Sequence, residues 1–157
     1  MTNQNIPKKI LYWYDNNKRA LPWRKKVSKK KQEYFTLVSE FMLQQTQVKT
    51  VIPYFEKFIK EFPNLKSLAK SSDHKILKNW EGLGYYSRAR NLKKTAIKLL
   101  KDYKGELPED IETLKSLPGI GEYTSRSILA IAHNKPYIPM DGNCLLYTSD
   151  AADELSS

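Results

Sequence analysis

Leu117-Pro118-Gly119-Ile120-Gly121 runs directly into Glu122-Tyr123-Thr124-Ser125-Arg126, and these types at this spacing can hold an anion on the backbone. Pro118 cannot continue a helix, and Gly119 and Gly121 permit backbone angles closed to residues with a Cβ. The pattern predicts a short helix, a tight glycine hairpin and a second helix. Asp110 is placed to cap the first helix, with Ile111, Leu114 and Leu117 on one face. The N–H groups that open the second helix lack intrahelical partners, and the helix dipole is positive at that end. Gly119, Ile120, Gly121 and Thr124 therefore form a candidate phosphate seat. An ordinary turn between two core helices would use the same residues.

Two further stretches carry chemistry. Glu40 lies one helical turn from both Leu37 and Leu43. A carboxylate in apolar company has its protonated form favoured, and buried acids are rare unless paired or functional. A structural salt bridge is the competing reading. Gly82-Leu83-Gly84-Tyr85-Tyr86 is an aromatic turn between glycines. Aromatic side chains on such a turn can wedge between bases or stack on them, though they also serve as core packing after a helix stop.

Helical periodicity supplies the elements that position these groups. Pro7 suits a first turn, and Ile10, Leu11, Trp13 and Tyr14 share an apolar face that ends near Asn17. Leu21-Pro22-Trp23-Arg24 breaks that helix, and residues 25–31 read as a polar, mostly basic loop. Residues 33–46 read as a second helix, buried because Tyr34, Phe35, Leu37, Val38, Phe41 and Met42 cover much of its circumference. A third helix spans 47–62 with Pro53 in an early turn, a short one spans 65–70, and the next starts at a Ser72 or Asp73 cap and reaches Trp80. Ser87 opens another, with Ala89, Leu92, Ala96, Leu99 and Leu100 inward and Arg88, Arg90, Lys93 and Lys94 outside. Beyond the hairpin, Ile128, Leu129, Ile131 and Ala132 continue the core, and His133 is expected at the surface. No stretch alternates with period two, so the fold class is all-α.

A chain of 157 residues suffices for one domain with a real core. Lys and Arg number 27 against 17 Asp and Glu, a net charge of +10 that favours an anionic partner such as nucleic acid. A helix-hairpin-helix would hold a DNA backbone without reading its sequence. Cys144 is the one cysteine, which excludes an internal disulfide and a cysteine-built metal site. No apolar run is long enough to span a bilayer, and no signal peptide is evident, so a soluble cytoplasmic protein is expected.

Several motifs now stand in order: Leu21-Pro22-Trp23-Arg24, Ser39-Glu40-Phe41-Met42-Leu43-Gln44-Gln45-Thr46-Gln47-Val48, Val51-Ile52-Pro53-Tyr54-Phe55, and Trp80-Glu81-Gly82-Leu83-Gly84-Tyr85-Tyr86-Ser87-Arg88. The hairpin and Asp141-Gly142-Asn143 follow them. Together they resemble the helix-hairpin-helix DNA glycosylases that carry a Gly/Pro-rich loop and a following Asp, in particular the adenine-specific branch. The resemblance implies an endonuclease III-like helical domain and base excision: hydrolysis of the N-glycosidic bond of adenine mispaired with guanine or 8-oxoguanine. By the family pattern Glu40 matches the general acid for the leaving base, and Asp141 the carboxylate that stabilises the oxocarbenium-like sugar; Tyr123 and Asn143 match residues that support them. Arg24, Leu43, Gln44, Gln45 and Tyr85 match positions near the flipped base or wedged in the duplex, and Arg88 is expected to join them at the DNA. Bifunctional relatives hold a Schiff-base Lys where Tyr123 stands, and Glu122 to Asn134 contains no Lys, so monofunctional chemistry is expected. An endonuclease III-type glycosylase/lyase and a non-catalytic DNA-binding module are the alternatives.

The resemblance stops at Leu145. Residues 144–157 read as a foreign-looking, disordered tail after an incomplete catalytic domain over 1–143. The full-length family member is expected to add a four-cysteine [4Fe-4S] cluster, for which this chain holds no ligands, and a Nudix-like domain. The implied partner is double-stranded DNA bearing A:G or A:8-oxoguanine mispairs, bound by a monomer without any membrane.

Overall fold

The computed structural model describes residues 5–139, and among these there are helices and no strands. The helices are α1 (Ile6–Asn17), α2 (Lys29–Leu43), α3 (Val48–Glu61), α4 (Leu65–Lys70), α5 (Asp73–Trp80), α6 (Ser87–Asp102), α7 (Ile111–Lys115) and α8 (Glu122–Ala132), with a 3-10 turn at Pro22–Arg24. This is the all-α architecture the sequence predicts. Short polar caps set the boundaries that the sequence predicts best. Asn64 and Ser67 form a capping box on α4, Ser72 accepts from the Lys75 N–H to open α5, and Asp110 accepts from the N–H groups of Glu112 and Thr113 to open α7.

Helix α2 is the axis. Every residue from Glu33 to Met42 is buried, and α3, α6 and α8 pack around it. Phe55 of α3 meets Trp23 and Phe35 edge-on at 5.3 and 5.4 Å, and Phe58 meets Trp80 at 5.9 Å, so aromatic edges join the 3-10 turn, α2, α3 and α5. The Tyr34 hydroxyl donates to the Phe62 carbonyl at 2.6 Å and fixes the end of α3 against α2.

Several sequence expectations need correction. Helix α2 starts at Lys29 rather than near residue 33, because Lys29, Lys30 and Lys31 form its first turn. Straight-chain lysines suit an exposed helical turn as well as a loop. Leu100 and Ile131, expected inward, are 38 % and 42 % exposed, since Leu99 and Leu129 already occupy the inward rows. His133, expected at the surface, has a side chain only 2 % exposed, with Nδ1 3.9 Å from a Glu109 carboxylate oxygen. Helix α1 does show the apolar face, but none of its residues is buried.

Polar contacts tie the hairpin to the rest of the bundle. Thr95 of α6 donates to the Pro118 carbonyl at 2.8 Å. The Gln44 side-chain amide donates to the Gly119 carbonyl at 3.0 Å and to the Thr124 hydroxyl at 3.2 Å. Gly119 adopts the left-handed region (φ 78°). Gly121 does not, contrary to expectation: its φ is −96°, and a Cβ there would meet nothing within 4 Å. Any residue could adopt that backbone, so what Gly121 contributes is an open approach to the start of α8.

Candidate functional site

Glu40 lies near the C-terminal end of α2, on a face covered by α8, and is 7 % exposed. Burial pushes its carboxyl above the ordinary glutamate value, and a hydrogen bond with Ser127 and the nearby Arg24 charge offset part of that rise. The apolar spacing around Glu40 anticipates this environment. Ser127 itself gave no signal: a serine inside a helix is usually solvent-facing, and only the packing of α8 on α2 buries it at 3 % exposure. Arg24, at the end of the 3-10 turn, also lines a cavity of about 450 Å³ together with Tyr14, Lys18 and Arg19. A basic hollow thus opens beside the group whose charge reaches Glu40.

The residues expected at DNA divide into two sets. Gln45 and Tyr85 are exposed and each adopts a left-handed backbone, at φ 57° and 44°. Tyr123 is 46 % exposed on the first turn of α8, and Leu43 is half-buried at the end of α2. By contrast, the side chains of Ile120 and Thr124 are buried, and the Ile120 N–H donates to the Leu117 carbonyl within the turn. Their side chains hold the hairpin, so a phosphate would meet the backbone at Gly121 and the first turn of α8. Gln44 spans from α2 to that hairpin.

Arg88 requires correction. It is 6 % exposed rather than outward, and its guanidinium donates to main-chain carbonyls from two separate segments. The unpaired carbonyls at the end of α2 draw it in, where the helix dipole is negative. Burial lowers its pKa from the usual arginine value, but arginine stays charged at neutral pH. Asp141 and Asn143, and the tail expectation for 144–157, lie outside the described residues. Glu122 opens α8 and pairs with Lys115 at 2.9 Å and Arg126 at 2.7 Å, so its charge beside the hairpin is balanced.

No group of three or more His, Cys, Asp or Glu that could hold a metal occurs among the described residues, and the whole chain has one cysteine. That donor set does not fit a four-cysteine cluster. No helix among the described residues is long and apolar enough to cross a membrane.

A buried acid and a glycine hairpin stand together in a basic bundle that is all-helical over the described residues, which is a helix-hairpin-helix arrangement. The family model described as HhH-GPD superfamily base excision DNA repair protein matches residues 38–148, and the chain belongs to that family. It is 46 % identical over 144 residues to an adenine DNA glycosylase of Buchnera aphidicola subsp. Baizongia pistaciae, covering 91 % of this chain and 40 % of the relative. It is 42 % identical over 139 residues to the Homo sapiens adenine DNA glycosylase, covering 85 % of this chain and 26 % of that protein. The chain thus spans two fifths or less of these relatives. Among solved structures, a thermostable thymine-DNA glycosylase superposes with a TM-score of 0.76 at 26 % identity, over 89 % of this chain and 63 % of that one. Endonuclease III from a non-covalent DNA complex superposes at 0.71 and 19 % identity, over 94 % and 68 %, and shares the fold.

Proposed function

We propose that this chain carries the base-excising helices of an adenine DNA glycosylase, acting on adenine paired with guanine or 8-oxoguanine in double-stranded DNA. The observation that carries this reading is Glu40: a buried carboxyl with a raised pKa, at the junction of α2 and α8, in a chain whose relatives bear that name. Hydrolysis of an N-glycosidic bond needs a proton for the departing base and negative charge near the cationic sugar. Glu40 donates the proton to the adenine ring as the bond to the anomeric carbon breaks. Water then adds to that carbon, and its proton returns to the Glu40 carboxylate. Asp141 supplies the stabilising negative charge, with Tyr123 and Asn143 in support. Gln45 and Tyr85 enter the duplex and hold the base out, offsetting the few kcal/mol that flipping costs, about the scale of a few stacking contacts. Arg24 and Leu43 lie near the flipped base, and the hairpin holds a phosphate.

Tyr123 stands where a lyase would need an amine, which favours monofunctional hydrolysis over the endonuclease III-type reaction. The test is a labelled duplex with a single adenine opposite 8-oxoguanine. The 157-residue chain is expected to release adenine and leave an intact strand that breaks only after alkali, with no adduct trapped by borohydride. Strand scission at the rate of base loss, or a trapped adduct, would identify a lyase. No release from the mispaired duplex would overturn the reading altogether.

A further inference from the structure

Two exposed loops carry the side chains that this reading sends into DNA, and one buried cation holds both. Arg88 Nη1 donates to Met42 O at 2.8 Å, Phe41 O at 3.3 Å, the Gln44 carbonyl and the Thr46 hydroxyl at 3.1 Å, around the loop that bears Gln45. Nη2 donates to Leu83 O at 3.1 Å and Gly84 O at 3.2 Å, in the turn that bears Tyr85. Trp80 Nε1 also donates to Gly84 O, at 3.2 Å, and its ring lies 5.4 Å from the guanidinium carbon. Among the described residues no carboxylate forms an ion pair with Arg88. The Tyr85 ring lies 5.7 Å from the guanidinium carbon. A buried cation met by carbonyl dipoles, one hydroxyl and two ring faces, with no carboxylate to neutralise it, is a costly arrangement, so a simple packing role explains it poorly.

The backbones of the two loops add a second observation. Gln45 and Tyr85, next to the clamped carbonyls, are both left-handed at non-glycine positions. Such residues persist only where their surroundings over-determine them, and they gather at functional sites. A planar guanidinium can serve both segments through two nitrogens at once, which a single lysine ammonium cannot.

We propose that Arg88 is a positioning residue: it fastens the Gln45 loop to the Tyr85 turn, so that the two side chains enter a duplex as one unit. The proposal rests on the reading that both side chains enter DNA. It replaces the expectation that Arg88 touches DNA itself.

Gln45→Ala, Tyr85→Ala and the double variant alter exposed side chains and should fold. The readouts are affinity for a mispaired duplex and the fluorescence of 2-aminopurine placed opposite 8-oxoguanine, which rises when the base leaves the stack. Each single variant is expected to cut flipping by about tenfold or more, and the double by no more than about threefold further, because residues acting as a unit are non-additive. Losses that simply multiply would overturn the proposal. Arg88→Lys, which keeps the charge, should raise amide exchange in 43–47 and 82–86 together while leaving the hairpin at 117–121 protected. It should lower flipping by about tenfold with duplex affinity within about threefold. Loosening of one loop alone, or of all helices equally, would overturn the clamp, and if this variant does not fold the additivity measurement decides. A wild-type chain that neither flips nor releases adenine fails on the functional reading, and the proposal falls with it. A wild-type chain that flips but shows independent side chains fails on the clamp alone.

Discussion

Glu40→Gln is expected to lower single-turnover adenine release by about a thousandfold or more, the scale of a lost general acid, with mispaired-duplex affinity within about threefold of wild type. The substitution keeps the size and one acceptor oxygen but cannot donate the proton that the leaving base requires. Stability should move the other way. Burial raises the folded-state pKa of Glu40 above its unfolded value, so between those two values the folded chain binds a proton that the unfolded chain lacks. Stability from this group is therefore complete below the unfolded pKa and declines as pH rises through the folded one. Glutamine does not titrate, so the variant should melt at or above the wild-type temperature at neutral pH, and the difference should shrink towards acid pH. The wild-type release rate should likewise fall as pH rises through the folded pKa. Near-normal release by Glu40→Gln would remove Glu40 from the chemistry. A variant that melts lower at neutral pH would mean that the carboxylate is a structural partner.

That acid was legible in the sequence because its environment is local: Leu37, Phe41 and Leu43 surround it on one helix. The helices α5 and α7 were legible for the same reason, since Ser72 and Asp110 act within their own first turns. What was not legible depends on distant segments. Arg88 reads as an outward cation at the start of α6, and it turns inward only because carbonyls more than forty residues earlier in the chain end α2 beside it. Ser127 approaches Glu40 only once α8 lies on α2. Ile120 and Thr124 belong to the phosphate seat that the motif predicts from its backbone, and only the fold shows that both side chains are buried. A motif specifies the backbone path well, while the sharing of side chains between core and surface is a property of the assembled bundle.

The hairpin glycines separate these two roles experimentally. Gly119→Ala places a Cβ 2.8 Å from Asn91 Cβ and 2.8 Å from Phe41 Cε1, at a φ of 78°. Neither neighbour can yield cheaply: Asn91 Cβ is bonded to the α6 backbone, and Phe41 is fully buried near the C-terminal end of α2. Overpacking typically costs about 1–3 kcal/mol and a left-handed backbone about 1–2 kcal/mol more. Together they take a large share of a marginal fold, lowering the melting temperature by roughly 5–15 °C. Any relief must push the hairpin outward, which pulls the Gly119 carbonyl from Gln44 and shifts α8 relative to Glu40. Activity should therefore fall along with stability. Gly121→Ala is the matched contrast. Its φ of −96° suits alanine, and nothing lies within 4 Å of the added Cβ, so melting should change by no more than about 2 °C. The methyl instead stands where a phosphate would approach the start of α8, and duplex affinity should drop by about tenfold, roughly one charge-assisted backbone contact. Equal melting losses in the two variants would show that the hairpin glycines are wholly structural. Unchanged affinity in Gly121→Ala would remove the phosphate from this end of α8.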